Sequence, residues 1–367
     1  MSRTSLAAIL LAALLLALPL EAFLALAGTL LLGLAVWTNR TRARIEARYP
    51  PIGRFVEANG TRIHYVERGD PRAVPTIVLH GASGNLRDQM SAPYAAHLER
   101  AVFVDRPGHG HSSRGGDANA TPDGQAATVV AMMDVLGIDR AVVLGHSYAG
   151  AVAASMALHH RDRVRGLVLV SPVTHPWPGG RMLWYYELGA LPLIGPLFAH
   201  TLLVPFGLRR MACAVGGVFA PQPVVPDYHE RAGTLLALRP RNFLANAHDL
   251  TRLFPAILRL ATRWRELSVP TVVIAGTRDR IVGTDIHARP FARAVPHARL
   301  VTVEGLGHKP DYWTPDLLAG AVQAVRADRV HAFDPAPPRV PVLPDPPETG
   351  EDARGIETGP DVPEPAR

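Results

Sequence analysis

Residues 144–150, LGHSYAG, directly follow an apolar run at 141–143. A serine on a tight turn between a strand and a helix is typical of the Gly-x-Ser-x-Gly motif, in which the serine is a nucleophile. Gly145 fits this motif, whereas Ala149 stands where the second glycine is expected. We expect the turn to tolerate alanine, because it adds only one methyl group. The alternative is a serine that caps the following helix, and the rest of the sequence decides between the two.

Six short aliphatic runs, the one before this motif among them, end in glycine or a polar turn. They are PTIVLHG, AVFVDRPG, RAVVLGHS, GLVLVSP, TVVIAGTRD and ARLVTVEG. Such runs fit strands that are buried on both faces, and helical stretches are expected at 121–136, 148–160 and 314–329. Two β-rich segments around Asn59-Gly60 come first and predict a hairpin. The pattern predicts an α/β fold whose mostly parallel sheet has an antiparallel start and is flanked by helices.

The polar residues that end these runs are the candidates for chemistry, because ligands of such sheets bind beyond the carboxyl ends of the strands. Ser147 ends one run, Asp279 follows a later run and His308 follows the last. A hydroxyl, an imidazole and a carboxylate are the groups that nucleophilic hydrolysis needs. Their order along the chain, Ser, Asp, His, is the order of α/β-hydrolase triads. Asp285 is the alternative acid, but it lies several residues past the strand end.

With these motifs the chain resembles the α/β-hydrolase fold superfamily. The matching segments lie within residues 54–330 and read LHGASGN (79–85), DRPGHGHS (105–112), GHSYAG (145–150), GTRDRIV (276–282) and GLGHKP (305–310). The resemblance implies Ser147 as nucleophile, His308 as general base and then acid, and Asp279 as the residue that orients His308. It also implies an oxyanion hole made by the backbone N–H groups of Ala82 and Tyr148, and no cofactor. The nucleophilic aspartate of haloalkane dehalogenases and epoxide hydrolases is absent, since position 147 is serine.

Residues 172–268 interrupt the alternation of strands and helices and are rich in proline, leucine and aromatic residues. We interpret them as a helical cap over the strand ends, inserted into a hydrolase core formed by residues 40–171 and 269–331. A second membrane-embedded region is the alternative; its arginines and prolines argue against a full span, but not against a peripheral lipid contact. Residues 332–367 are rich in proline and acidic residues, so we expect a disordered tail.

Other residues near these motifs have weaker claims to function. His109 and His111 raise the idea of a metal site, but they lie in a turn typical of the superfamily, so we expect no metal. We expect His80 to shape the oxyanion loop rather than to react. Four aromatic residues of the cap are expected to line or cover an apolar acyl pocket, although packing within the cap would explain them equally well: Trp184, Tyr185, Tyr186 and Phe198.

Residues 6–37 hold one charged residue, Glu21, and exceed the ~20 apolar residues that one membrane span needs. We interpret residues 1–39 as a hydrophobic membrane anchor, formed by one tilted or kinked helix or by a short hairpin. A signal peptide, with a secreted or periplasmic protein, is the alternative; a buried helix pair fits less well. Four arginines follow the run, and their position favours a catalytic domain on the cytoplasmic side: Arg40, Arg42, Arg44 and Arg48.

The net charge and the cysteine content limit the classes of partner and of site that the protein can have. The 367 residues carry a net charge of +6, but residues 334–367 hold eight Asp/Glu and three Arg, a net of −5, so residues 1–333 carry +11. Excess positive charge suits anionic lipid or nucleic acid. Nucleic acid is not expected, because no Lys/Arg stripe is interleaved with aromatic residues.

The single cysteine, Cys213, excludes an intramolecular disulfide framework and a cysteine-based metal site. The oligomeric state is left open.

The sequence therefore predicts a membrane-anchored serine hydrolase that acts on an apolar ester or a related small acyl compound through an acyl-enzyme. Acyl transfer, lactone opening, carbon–carbon bond hydrolysis and perhydrolysis would use the same three residues, and they stay open. A non-catalytic binding module with this fold is a further alternative. Such modules typically lose a member of the triad, and here all three residues are present.

Overall fold

The computed structural model describes residues 19–336 together with residues 338, 340 and 341. Eight strands form one sheet: β1 (Arg54–Ala58), β2 (Thr61–Gly69), β3 (Thr76–Leu79), β4 (Arg100–Val104), β5 (Ala141–His146), β6 (Val164–Val170), β7 (Thr271–Gly276) and β8 (Arg299–Val303). Their order in the sheet is β1-β2-β4-β3-β5-β6-β7-β8. β2 pairs antiparallel with β1 and β4, and the other neighbours are parallel. The predicted hairpin and the six predicted strands are confirmed.

The central strands are buried on both faces, which is why their sequences are continuous aliphatic runs rather than alternating ones. Ile77 and Leu79 of β3 pack into one core, whereas Val78 packs into the other. β5 shows the same division, with Val143 on the first face and Leu144 on the second. Side chains of a strand alternate between faces, so each strand contributes to two cores and is held from both sides.

Helices cover both faces of the sheet and connect its parallel strands. The helices of the core are α2 (Leu86–Ser91), α3 (Pro122–Val135), α4 (Tyr148–His159), α10 (Ala288–Ala294), α11 (Pro310–Trp313) and α12 (Pro315–Arg326). α3 and α4 bury residues in the first core, and α12 buries residues in the second. The helical stretches expected at 121–136, 148–160 and 314–329 correspond to α3, α4 and α12.

Among the described residues, the segment 172–268, for which we keep the name cap as a label, forms helices and turns but no strand. Its helices are α5 (Trp184–Gly189), α6 (Ile194–Thr201), α7 (Leu203–Phe219), α8 (Tyr228–Arg231) and α9 (Pro240–Leu260). α9 is amphipathic and sends residues such as Leu250 and Leu253 into the first core of the sheet. Its polar residues Asn246 and Asp249 are also buried, and they reach the loops at the strand ends, as shown below.

One long helix precedes the sheet: α1 spans Leu20–Arg48 and continues past residue 39. It is long and apolar enough to cross a membrane, a test that signal sequences also pass, and α6 with α7 meets the same criterion only as a pair bent by 71°. The carboxyl half of α1 docks on the rest of the protein through Thr38 and Ile45, which are buried. Thr38 Oγ1 donates to Thr201 O at 3.3 Å, and Arg48 pairs with Glu230 at 2.5 Å.

Two parts of the predicted organisation lie partly outside the described residues. Residues 1–18 of the expected anchor and residues 342–367 of the expected tail are among them. At the start of the tail, Asp334 pairs with Arg299 at 2.7 Å. Farther along, the amide of Gln222 donates to Pro341 O at 3.1 Å. The beginning of the tail therefore contacts the core and the cap.

Candidate active site

Ser147 lies on the tight turn between β5 and α4, with φ 56° and ψ −119°. A residue that carries a β-carbon is disfavoured at positive φ by roughly 1–3 kcal/mol and persists there only when the surroundings impose it. Here the backbone N–H of Ser147 donates to Val170 O at 2.9 Å, and Ser147 O accepts from Val173 N at 3.1 Å. The serine side chain forms no capping hydrogen bond with any described residue of α4. The turn therefore presents the hydroxyl rather than using it as a helix cap.

Small residues allow this turn to close. A β-carbon on Gly145 would lie 2.3 Å from Ala149 O, so α4 and β5 approach too closely there for any other residue. A β-carbon on Gly150 would lie 2.4 Å from Pro172 Cβ. Ala149 itself is fully buried, with its methyl group packed in the first core. Alanine therefore fits at position 149, where the motif has its second glycine. Gly150, one position later, is a glycine that the close contact with Pro172 requires.

Asp279 and His308 follow β7 and β8, which are adjacent in the sheet, and their side chains meet. His308 Nδ1 donates to Asp279 Oδ2 at 2.7 Å. Asp279 Oδ1 accepts from the backbone N–H groups of Ile281 and Val282, both at 2.9 Å. Burial raises the pKa of Asp279, but His308 and these two N–H groups outweigh burial and leave the pKa below its usual value. The carboxylate stays charged and fixes the imidazole with Nε2 free for proton transfer.

The residue before the serine connects the two halves of the site. His146 Nε2 donates to His308 O at 3.0 Å, and the two imidazole rings lie 4.9 Å apart. Burial, and then the positive charge of Lys309, hold the pKa of His146 well below its usual value, so this imidazole is neutral. Ser147 is 8% exposed, and its hydroxyl forms no hydrogen bond with the described side chains. In hydrolases the serine–histidine hydrogen bond often tightens only when substrate binds.

The expected oxyanion donors lie on two adjacent turns. A β-carbon on Gly81 would lie 3.1 Å from Ser147 Cβ, which places the loop of Ala82 directly against the serine turn. Tyr148 is the first residue of α4, where backbone N–H groups lack partners within the helix. Neither the N–H of Ala82 nor that of Tyr148 donates to a backbone acceptor among the described residues. Both N–H groups therefore meet a condition of the predicted oxyanion role, which requires donors without a partner.

A buried arginine that the sequence analysis did not identify holds the loop of Ala82. Arg106 Nε donates to His80 O at 2.8 Å, and Arg106 Nη2 donates to Gly81 O at 3.0 Å. His80 accepts from the N–H of Arg106 through Nε2 at 3.1 Å. Burial, and then the charge of Arg106, lower the pKa of His80 well below its usual value, so His80 shapes this loop as a neutral ring.

The cap helix α9 completes this support through two residues that sequence reasoning also missed. Asn246 Oδ1 accepts from the N–H of Ser83 at 2.7 Å, next to Ala82. Asp249 accepts from Arg106 at 3.1 Å and from Arg114 at 2.6 Å. Asn246 and Asp249 are three residues apart, on one face of α9. Their sequence signal was the spacing of two polar residues on the buried face of an amphipathic helix, and it could have identified both.

A second buried ionic group lies behind His308. Lys309 Nζ bonds to Asp88 Oδ2 at 3.1 Å and to Asp311 Oδ2 at 2.9 Å. Burial lowers the pKa of Lys309, but the two carboxylates outweigh it and raise the pKa above its usual value. Among the described residues, one group of side chains lies close enough together to hold a metal ion: Asp88, His146 and Asp311. The ammonium group of Lys309 bonds to both carboxylates of this group.

The remaining candidates have other partners. His109 Nδ1 donates to Pro107 O at 3.1 Å, and His111 Nε2 donates to Tyr49 O at 2.9 Å. The side chain of Asp285 is 88% exposed and pairs with Arg289 at 2.7 Å. Asp279, and not Asp285, is therefore the carboxylate that contacts His308.

Of the four aromatic residues expected at an acyl pocket, one reaches the site. Tyr186 OH lies 3.0 Å from Ser83 Oγ, next to Ala82 in the loop after β3. Tyr185 and Phe198 pack around Phe206 within the cap. Trp184 is 59% exposed on the outer surface. Packing within the cap therefore explains Tyr185 and Phe198, the alternative raised from the sequence.

Comparison with known proteins gives consistent matches. Relatives include 2-hydroxymuconate semialdehyde hydrolase from Pseudomonas putida, 26% identical over 72% of this chain and 89% of that protein. The non-heme chloroperoxidase of Streptomyces lividans is 28% identical over 73% of this chain and 99% of that protein. The crystal structure of an enol-lactonase from Burkholderia xenovorans LB400 covers 75% of this chain and 100% of its own, with a TM-score of 0.57 and 22% identity.

The family model described as alpha/beta hydrolase fold matches residues 74–314. That stretch is more than half of the chain and contains all three residues of the predicted triad. It also contains all of residues 172–268, the segment predicted to form the cap. The chain belongs to the α/β-hydrolase fold family, whose matched relatives are enzymes.

Proposed function

We propose that the protein is a serine hydrolase in which Ser147 attacks the carbonyl carbon of an apolar ester or a related small acyl substrate. His308 Nε2 accepts the proton of the Ser147 hydroxyl as the new carbon–oxygen bond forms. Asp279 keeps the imidazole in the required tautomer and stabilises the imidazolium. The N–H groups of Ala82 and Tyr148 stabilise the negative oxygen of the tetrahedral intermediate.

The rest of the cycle releases the alcohol and then removes the acyl group from Ser147. The imidazolium of His308 donates its proton to the leaving alcohol, which departs and leaves an acyl group on Ser147. A water molecule then loses a proton to His308 and attacks the acyl carbon, and the proton returns to Ser147 as the acid leaves. Bonds and charges balance over the cycle without a cofactor.

The hydrogen bond between Asp279 and His308 carries this proposal. It joins two residues that follow neighbouring strands, and it leaves His308 Nε2 as the available base. His146, the residue before Ser147, donates a hydrogen bond to the carbonyl oxygen of His308 and so links the serine turn to the histidine loop. The serine turn at positive φ supports the same assignment.

The apolar substrate class follows from the cap and from α1. We propose that residues 1–39 anchor the protein in a membrane, that the catalytic domain is cytoplasmic, and that residues 172–268 form the cap. The apolar length of α1 supports the anchor. The arginines after residue 39 support the orientation. A lipophilic acyl compound would be abundant at such a surface.

The test uses the full chain in detergent with p-nitrophenyl esters of short and long acyl chains. We expect hydrolysis and labelling by a fluorophosphonate probe, and loss of both in Ser147→Ala. Ser268→Ala changes an exposed serine outside the site and should keep both. Labelling without hydrolysis would favour acyl transfer or another acceptor. Equal activity of Ser147→Ala and the unchanged protein would contradict the proposal, and a lack of labelling in the unchanged protein would favour a binding module.

A further inference from the structure

Large apolar side chains are exposed mainly in two segments of the described chain. One is the amino-terminal part of α1, residues 20–37. The other lies on the cap between residues 183 and 202, and we call its exposed side chains the cap face. Its members are Leu183, Trp184, Leu191, Leu193, Ile194, Leu197 and Leu202. Seven large apolar side chains exposed within twenty residues favour an interaction site over singly scattered apolar residues.

The cap face adjoins the helix proposed as the anchor. α6, which carries Ile194 and Leu197, packs along α1, and the Thr38 hydroxyl bonds to the carbonyl of Thr201 at the end of α6. Thr38 comes directly after the apolar half of α1. The docked helix therefore fixes how the cap sits relative to the apolar residues that precede it.

Leu193 is the clearest member of the cap face. It is 86% exposed, the highest value among the exposed large apolar residues. It also has φ 63°, a conformation that residues with a β-carbon rarely adopt. Neither packing nor backbone preference in the folded chain accounts for a leucine at this position. A partner that takes up the side chain would account for it.

We propose that the cap face lies in the interface of the lipid bilayer that α1 enters, so that the cap is a second membrane contact. This inference rests on the proposed anchor. It identifies a surface that the chemistry of the active site does not require.

The charges around the cap face suit lipid. Between residues 183 and 219, Glu187 is the single acidic residue in the sequence, and it pairs with Arg181 at 2.7 Å. Arg209 and Arg210 of α7 follow the apolar segment. An exposed tryptophan with nearby arginines matches the headgroup level of an anionic bilayer.

This placement also brings the membrane close to the active site. Helix α5 carries Trp184, which is exposed on the cap face, and Tyr186, which bonds to Ser83 beside the oxyanion loop. The outer surface and the site are thus separated by the thickness of one helix. A lipophilic substrate dissolved in the bilayer would reach Ser147 by a short path.

The test places a polarity-sensitive fluorophore at single cysteines in the full chain. The chain is held one copy per nanodisc of phosphatidylcholine and phosphatidylglycerol. Cys213, the one natural cysteine, is first replaced by Cys213→Ser, and Leu193→Cys then places the label on the cap face. Leu30→Cys reports on the anchor. Val135→Cys is the matched control, because Val135 is an exposed apolar residue at the carboxyl end of α3, before the start of β5, whereas Ser147 follows the other end of that strand.

Nitroxides on the lipid acyl chains and iodide in the water serve as the two quenchers. We expect the labels at positions 193 and 30 to be quenched by the nitroxides and several-fold less by iodide than the label at 135. A label at 30 in lipid with a label at 193 in water would overturn the cap contact and leave the anchor standing. Both labels in water would refute the anchor and, with it, this inference. A label at 193 that neither quencher reaches would show a protein contact instead and equally overturn the inference.

Discussion

Asp279 Oδ2 and His308 Nδ1 lie 2.7 Å apart although 29 residues separate them in the chain. The contact arises because β7 and β8 are parallel neighbours, so the loops at their carboxyl ends meet. Two backbone N–H groups hold the other carboxylate oxygen. The pair is therefore preformed before any substrate binds.

Replacing this carboxylate should disable catalysis without unfolding the protein. We expect Asp279→Asn to lower kcat about 10⁴-fold, because the amide no longer holds His308 in the tautomer that can accept a proton. The amide oxygen can still accept from the two N–H groups, so the loop should keep its shape. Steady-state hydrolysis of the best p-nitrophenyl ester, with circular dichroism as the check on folding, measures this.

Asp285→Asn is the matched control, since Asp285 is exposed and pairs with Arg289. It should leave kcat unchanged. If Asp285→Asn and not Asp279→Asn were the inactive variant, the assignment of the triad acid would be wrong.

The sequence predicted the strands and the fold because a strand buried on both faces needs a continuous aliphatic run. It placed Ser147, Asp279 and His308 together because the polar residue after each run lies at one edge of a parallel sheet. Both steps depend on local pattern and on a general rule of topology. Their catalytic roles remain predictions.

Polar contacts between residues far apart in the chain, whether between the cap and the core or within the core, could not be predicted in this way. Asn246 bonds to Ser83 across 163 residues, and Lys309 bonds to Asp88 across 221 residues. No local pattern specifies which buried polar group finds which partner. Lys309 was visible in the motif around His308, but a lysine there is expected to be solvated until its two carboxylates are located.

Packing at the serine turn predicts that two small substitutions there differ in their effect on activity. Gly145→Ala should destabilise the fold by about 1–3 kcal/mol, because the new methyl group overlaps the backbone of α4. It should also lower activity, since relief of the overlap must displace Ser147. Ala149→Gly, which restores the common motif, should lose about 1 kcal/mol through helix propensity and keep its activity. Urea unfolding and ester hydrolysis of both variants measure this, and a fully active, fully stable Gly145→Ala would contradict the geometry.

The ion cluster behind His308 should be sensitive to removal of its cation. We expect Lys309→Met to cost about 3–5 kcal/mol of unfolding free energy, because Asp88 and Asp311 would remain buried without a counter-charge. The triple variant Asp88→Asn, Lys309→Met, Asp311→Asn should regain part of that loss. Urea unfolding compares the two.

An exposed ion pair supplies the control for this cluster. Arg72→Met breaks the pair with Asp70, whose members are largely exposed, and it should leave the stability unchanged. Equal stability of Lys309→Met and the unchanged protein would show that the cluster is not held by its charges.

Buried histidines predict a loss of stability in acid. Burial, and then the charge of the nearby His175, lower the pKa of His287 to about 4. Between pH 6.5 and pH 4 the unfolded chain therefore binds a proton that the folded chain does not, and the free energy of unfolding falls as the pH falls. One such histidine contributes about 2 kcal/mol of this loss at pH 5.

His287→Asn keeps an acceptor for the two N–H groups that bond to His287 Nδ1, but it cannot titrate. We expect its unfolding free energy, measured in urea at pH 7 and pH 5, to fall by about 2 kcal/mol less than that of the unchanged protein. His331→Asn, at an exposed position, should behave like the unchanged protein, and an identical fall in all three would contradict the role of His287.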